Sequence, residues 1–287
     1  MHRTLLRYGT LFCFLLLFLA GQAQGKWAYE LFPPKKVIFP PLVADPWETQ
    51  TSIFFINNYR QIGKIGSSFP IYKSTRQADP SQETETLQLN IEGLSYNSMR
   101  FREETGLGNG GIDLDTSDTK FGLTLNYKKN QWHGRFGAEH ISAHLADGQL
   151  WPTVRHIKRG YSREFLQLNI SKSFTYVKPH IGIHSIFTSR HPKEYENKHF
   201  VVFQGGGELF YPLSKTFSLI LATDWQSRQE YDFFINQSYL AGIRIHGSYE
   251  DEVPVKILFQ YYQGYDPRGE FYDEKRNYWG FGLQYFI

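Results

Sequence analysis

From Thr51 onward the apolar positions of this chain fall on every second residue. Phe121, Leu123, Leu125 and Tyr127 alternate with Gly122, Thr124, Asn126 and Lys128, and Leu166, Leu168 and Ile170 alternate with Gln167 and Asn169. Tyr239, Ala241, Ile243 and Ile245 likewise stand opposite Gly242, Arg244 and His246. Period two belongs to β-strands, whose successive side chains point to opposite faces of a sheet. Segments of about ten residues in this pattern, joined by alternating short and long connections, predict an all-β fold, an antiparallel transmembrane barrel. Counting back from the C-terminus places strands over 277–287, 255–264, 237–248, 216–226, 200–213, 178–187, 161–173, 131–145, 118–128 and 85–101. Two weaker ones over 51–60 and 62–72 bring the count to about twelve, an even number that keeps both termini on the periplasmic side. The long connection over 73–84 makes ten the alternative count.

A soluble sandwich shows the same alternation, so the aromatic residues decide between the two. They make up 17% of the chain and gather at strand ends, as at Tyr127 with Trp132, Trp225, Tyr239, Tyr261 with Tyr262 and Tyr278 with Trp279. Two interfacial girdles of a membrane barrel have this distribution. The chain closes on GLQYFI, which is similar to the terminal signal of outer-membrane barrels with Ile287 as its last residue. The mean hydropathy of -0.44 fits a wall in which only alternate residues meet lipid.

Arg3 and Arg7, the apolar run from Leu11 to Ala20 and the small residues Gly21-Gln22-Ala23 predict a signal peptide over residues 1–23. Its removal takes Cys13, so no disulfide or thiolate chemistry is expected of the mature chain, and lowers the formal charge from +3 to about +1 (+3 − 2), which excludes nucleic-acid binding by bulk charge. Residues 24–50 hold five prolines between Phe32 and Gln50 and are expected as an ordered, proline-rich periplasmic arm, or a segment tucked into the barrel mouth; residues 51–287 form the barrel.

The short connections at Lys129-Asn130, Leu213–Lys215 and Tyr249–Pro254 are read as periplasmic, and the longer ones over 146–160, 188–199, 227–236 and 264–276 as extracellular. The strand that begins near Gln131 then climbs outward. Arg135 and Glu139 belong in the interior, since a charge facing lipid at membrane depth costs roughly 2 to 4 kcal/mol. The other face, with Phe136, Ala138, His140 and Ser142, looks out, and His140 and Ser142 reach the outer-leaflet rim where lipid ester bonds lie. If Leu145 pairs with Arg159, Ser142 stands across from Ser162 and His140 across from Glu164. That arrangement would supply Ser142 as nucleophile, His140 as general base and Glu164 to hold the imidazole tautomer. The bland reading is an ordinary polar rim on a chain with ten histidines. A metal chelate of His140 with His144 is excluded by their separation of about 13 Å along a strand. Calcium is the cofactor that the acidic loop residues Asp147, Asp266, Glu270, Asp273 and Glu274 would admit, although they read first as solvated charges bridged to lipopolysaccharide.

PPLVADPWE (40–48), EHISAHLAD (139–147) and GYSREFL (160–166) together resemble the family of outer-membrane barrels known as domain of unknown function 1207. His140, Ser142, His144, Leu145, Asp147, Tyr161, Ser162, Arg163 and Glu164 match its pattern, while Ala143, Ala146, Gly148 and Gly160 depart from it. The resemblance implies a barrel and no particular activity. The His-x-Ser of His140 and Ser142 also resembles outer membrane phospholipase A and the lipid A deacylase, whose catalytic His and Ser stand two apart on a lipid-facing strand. That likeness implies a serine-type acyl hydrolase of phospholipid or lipid A, with outer-membrane lipid and lipopolysaccharide as partners. The alternative is a non-enzymatic barrel, either a narrow channel or a structural or adhesion protein, with a lumen lined by Arg135, Glu139, His180, His184, Arg244, His246, Lys256 and Gln260.

Overall fold

The computed structural model describes residues 27–34, 37–57, 60–76, 84–101, 111–146, 161–190, 199–246 and 254–285. The expected signal peptide, Asp147 and Ile287 lie outside these residues. The strands are β1 (Trp27–Leu31), β2 (Thr51–Ile56), β3 (Arg60–Arg76), β4 (Glu85–Phe101), β5 (Ile112–Lys129), β6 (Trp132–Leu145), β7 (Tyr161–Lys172), β8 (Val177–Arg190), β9 (Phe200–Pro212), β10 (Phe217–Arg228), β11 (Phe234–Ile245), β12 (Val255–Tyr265) and β13 (Lys275–Tyr285). Every neighbouring pair from β2 to β13 is antiparallel, and β13 returns to β2 with Tyr285 opposite Thr51 and Gly280 opposite Ile56. The wall is a closed barrel of twelve strands, β2 to β13, and the alternative of ten falls away. β3 runs on to Arg76, so the connection that argued for ten begins after that residue.

Outward positions carry the apolar side chains. Phe121, Leu123, Leu168, Ile170, Ile181, Leu221, Ile257 and Phe281 are all exposed, whereas Gln88, Asn90, Thr124, Asn126 and Asn169 on the opposite face are fully buried. Trp225 Nε1 donates to the Tyr239 hydroxyl at 3.2 Å on the outer wall, where an aromatic belt needs a polar tip. An apolar exterior on a closed antiparallel wall is the way strands cross a lipid bilayer. The protein is therefore a membrane-spanning β-barrel.

β1 was not foreseen. It pairs with β3 at Tyr72–Arg76, while β2 pairs with the same edge of β3 only over Arg60–Lys64. Both lie in one lane of the wall, and between them the chain leaves the wall at Phe32, whose φ of 50° turns it out of the strand, and rejoins it at Thr51. The proline-rich segment lies deeper than a periplasmic arm or a mouth. Phe39, Leu42, Val43, Glu48, Thr49 and Gln50 are all buried, and their partners come from strands right around the bore. Val43 N donates to Glu208 of β9 at 2.9 Å, and Gln284 of β13 donates to Val43 O at 3.1 Å. Gln204 of β9 and Gln226 of β10 donate to Asp45 at 3.1 and 3.2 Å. Thr49 donates to Glu92 of β4 at 2.9 Å, and Arg135 of β6 donates to both oxygens of Glu48 at 3.0 Å.

The β12–β13 connection closes the bore from outside. Asp266, Arg268 and Glu270 are buried there, so the reading of Asp266 and Glu270 as solvated loop charges is corrected: Asp266 accepts from Arg268 and Arg276 inside the mouth. Plug and loop meet where Trp47, stacked on Tyr96 at 5.4 Å, donates its indole N–H to Pro267 O at 3.0 Å. The spaces left beside the plug among the described residues measure about 50, 20 and 10 Å³. A few waters fit in them and a solute does not.

Candidate functional site

β6 lies between β5 and β7, and its alternation decides what faces lipid. Arg135, Glu139, Ile141 and Ala143 are buried inside, which leaves His140, Ser142 and His144 outside. Glu139 meets Lys120 of β5 at 3.4 Å, so the interior charges that fix the face of β6 are paired. The register across β6 and β7 sets Ser142 opposite Ser162 and His140 opposite Glu164, as the assumed pairing required. On the other side Thr119 stands opposite Ser142 and Phe121 opposite His140.

Two hydrogen-bonded pairs result. His140 Nδ1 lies 3.2 Å from Glu164 Oε1, with its ring 4.9 Å from that of Phe121 at 42°. The other carboxylate oxygen, Glu164 Oε2, is buried with no hydrogen-bond partner among the described residues. Ser142 Oγ lies 3.0 Å from Nε2 of His144, an exposed residue. The structure thus joins the expected acid to the expected base, and turns the expected nucleophile to the histidine on its other side. His140 and His144 each stand two residues from Ser142 on the same face, about 7 Å away along the strand. A staggered rotation of the serine moves its hydroxyl from one imidazole toward the other.

The height of these pairs follows from counting residues between girdles. On β10 the lower aromatic Phe217 and the upper Trp225 are 8 positions apart (225 − 217), and on β6 Trp132 and His140 are also 8 apart (140 − 132). His140 therefore sits level with the upper girdle, where acyl chains give way to headgroups. Thr188 and Arg190 of β8 extend the polar patch, Thr188 opposite Glu164 and Arg190 opposite Ser162. Reading the sequence missed both, because the register shifts at Glu164/Phe165 and the alternation of β8 breaks there. Among the described residues no group of three or more His, Cys, Asp or Glu is placed to hold a metal ion.

A hydroxyl against an imidazole, beside an imidazole against a carboxylate, has the components of acyl transfer: a nucleophile, a proton acceptor and a group that orients it. The exposed Arg190 two strands away adds a cation at headgroup height.

A family model described as "Protein of unknown function (DUF1207)" matches residues 22–287. No curated protein matches the chain. Among solved structures the chain is similar to OmpT, an outer membrane protein of Vibrio cholerae. The in-vitro folded trimer form is 8% identical with a TM-score of 0.35, over 92% of this chain and 99% of that one. The outer-membrane expressed form is 9% identical with a TM-score of 0.35, over 92% and 98%.

Proposed function

The chain belongs to the DUF1207 family of proteins of unknown function, and we propose that it works on its lipid-facing surface as a serine-type acyl ester hydrolase of phospholipid or lipid A. The observation that carries this reading is the His140–Glu164 pair on the outer wall, level with the upper girdle, with Ser142 two residues along the same face. Ser142 Oγ attacks the acyl carbonyl as its proton passes to imidazole. The imidazolium then protonates the departing lipid alcohol, and water, deprotonated by the same imidazole, releases the fatty acid and restores the serine. His140 is the base, its Nδ1–H held by Glu164 so that Nε2 is free to accept. The serine hydroxyl turns from His144 to His140 when the ester enters, and His144 at the edge of the patch contacts the headgroup. The filled bore supports the same reading from the other side, since among the described residues it leaves no path for a solute and speaks against a channel.

The test is fatty-acid release from phospholipid and lipopolysaccharide vesicles by detergent-refolded protein whose heat-modifiable gel migration shows a folded barrel. Wild type is expected to release fatty acid, Ser142→Ala to fall to background, and His140→Ala to lose about 10²- to 10⁴-fold, the usual contribution of a positioned base. His144→Ala is expected to keep most of the turnover. Loss in His144→Ala with retention in His140→Ala would exchange the two histidines' roles. No release from either lipid by a folded barrel would sink the hydrolase and leave a closed structural or adhesion barrel, a reading that the serine's present turn toward His144 favours.

A further inference from the structure

The extracellular mouth holds a second polar site, on the inner side of the wall and independent of the lipid-facing one. A cavity of about 200 Å³ opens there between the tops of β3, β4 and β13 and the β12–β13 connection. Arg60, Arg268 and Arg276 line it together with Asp266, the one carboxylate of its lining among the described residues. Its volume is more than ten times the space a single water needs, enough for a polyatomic ion.

The way these charges are paired matters more than their number. Asp115 is shared by two guanidiniums, with Arg60 at 2.8 Å and Arg100 at 3.3 Å. Those two arginines are directly opposite each other in the β3–β4 ladder, where like charges repel. Asp266 is shared in the same way by Arg268 and by Arg276 at 3.2 Å, and Arg276 also reaches Glu274 at 2.6 Å. Among the described residues that line the space, three guanidiniums thus face one carboxylate, while Lys275 holds its ammonium 4.2 Å over the Phe234 ring. Asp118 and Glu270 stand near Arg268, but neither lines the space. A guanidinium carries five N–H donors in a planar fork, so one shared carboxylate leaves donors over. Arg60 and Arg276 keep 25% and 39% of their side-chain surface accessible, so an ion arriving from outside meets them.

We infer that this cavity binds a phosphate group, as a free ion or as the phosphate of a saccharide, through Arg60 and Arg276. The fork of Arg276 and that of Arg60 each offer N–H donors to phosphate oxygens. A phosphate group offers more oxygens and more charge to the two forks than a carboxylate does, so it engages Arg60 and Arg276 together more fully.

Titration calorimetry of the refolded barrel in a zwitterionic detergent tests this with inorganic phosphate, glucose 1-phosphate and acetate. Saturable binding of either phosphate compound, weakened by added salt and weaker with acetate, is expected. Tighter binding of the sugar phosphate assigns the site to a phosphorylated saccharide, and tighter inorganic phosphate to the free ion. Arg276→Gln and Arg60→Gln should each weaken binding by about tenfold or more, the loss of one charge-assisted contact. Arg276→Lys should bind between these and wild type, because it keeps the charge and loses the fork. Ser142→Ala should bind like wild type whatever its effect on lipid. No binding of either phosphate compound by a folded barrel, or the same affinity in Arg276→Gln as in wild type, overturns the assignment.

Discussion

Glu48 and Arg135 meet at the middle of the bore with only 2% of either side chain exposed. Two N–H groups of Arg135 reach the Glu48 carboxylate at 3.0 Å, and its guanidinium lies 4.2 Å above the ring of Phe39. A buried pair of this kind is held by mutual compensation, so removal of one partner strands the other charge and costs about 3 to 5 kcal/mol. Glu48→Ala and Arg135→Ala are each expected to lower the unfolding midpoint in urea accordingly, and the double variant Glu48→Met with Arg135→Met to recover much of the loss. Two singles that cost less than the double would show that the pair contributes little. Half of this pair was legible in the sequence. Arg135 had to face inward because a charge on that strand cannot face lipid, and the same argument put His140, Ser142 and Glu164 outside. Glu48 was not legible as the partner, because 87 residues separate the two and their meeting depends on the path of the plug. The turn of Ser142 toward His144 was hidden for a different reason: parity fixes the face of a side chain and leaves its rotamer open.

At the scale of an element, three consecutive glycines in β9 separate the needs of the two faces. Gly206 points into the bore, where a Cβ would come within 2.1 Å of Thr223 O and 2.8 Å of the His180 ring. That ring gives Nε2 to Asp224 at 3.0 Å, so it has little room to withdraw. Gly205 points outward, and a Cβ there meets nothing nearer than His180 O at 3.9 Å. Gly206→Val is accordingly expected to destabilise the barrel by roughly 1 to 3 kcal/mol through overpacking, and Gly205→Val to change it by no more than about 0.5 kcal/mol. The temperature at which gel migration shifts from folded to unfolded checks both, and equal effects would contradict the assignment of faces. Strand boundaries were legible wherever alternation ran clean, as in β4, β6 and β7. They failed where pairing alone holds the strand: β5 begins at Ile112 rather than at 118, because the Asp-x-Asp stretch over 113–115 reads as a loop until the upper end of β4 pairs with it. β1 is held by the same kind of distant pairing, with β3.

For the whole molecule the governing quantity is barrel width. Eight strands enclose an interior that wall side chains can just fill, and sixteen or more leave a water channel. Twelve strands leave more room than this wall's side chains take up, and the chain fills it with its own backbone, running residues 37–50 through the bore and folding the β12–β13 connection down to meet them. The plug is an excursion from one lane of the wall. β1 ends opposite Tyr72 and β2 begins one residue before the Ser52–Lys64 pair, level with position 65, so 7 positions of β3 (72 − 65) separate strands that 19 residues (50 − 31) connect. An extended linker of seven residues spans about 24 Å, which is enough to complete the lane. Replacing residues 32–50 by such a linker should therefore keep the twelve-stranded wall and empty its centre. Wild-type protein in planar bilayers is expected to give no steady conductance, and the variant to give long-lived ohmic steps of uniform size. A conducting wild type would mean that the plug leaves the bore in the membrane, and the case for a surface function would then lose its support from the closed lumen. A folded variant that stays silent would instead assign the closure to the wall charges and the β12–β13 connection, which remain when the plug is gone.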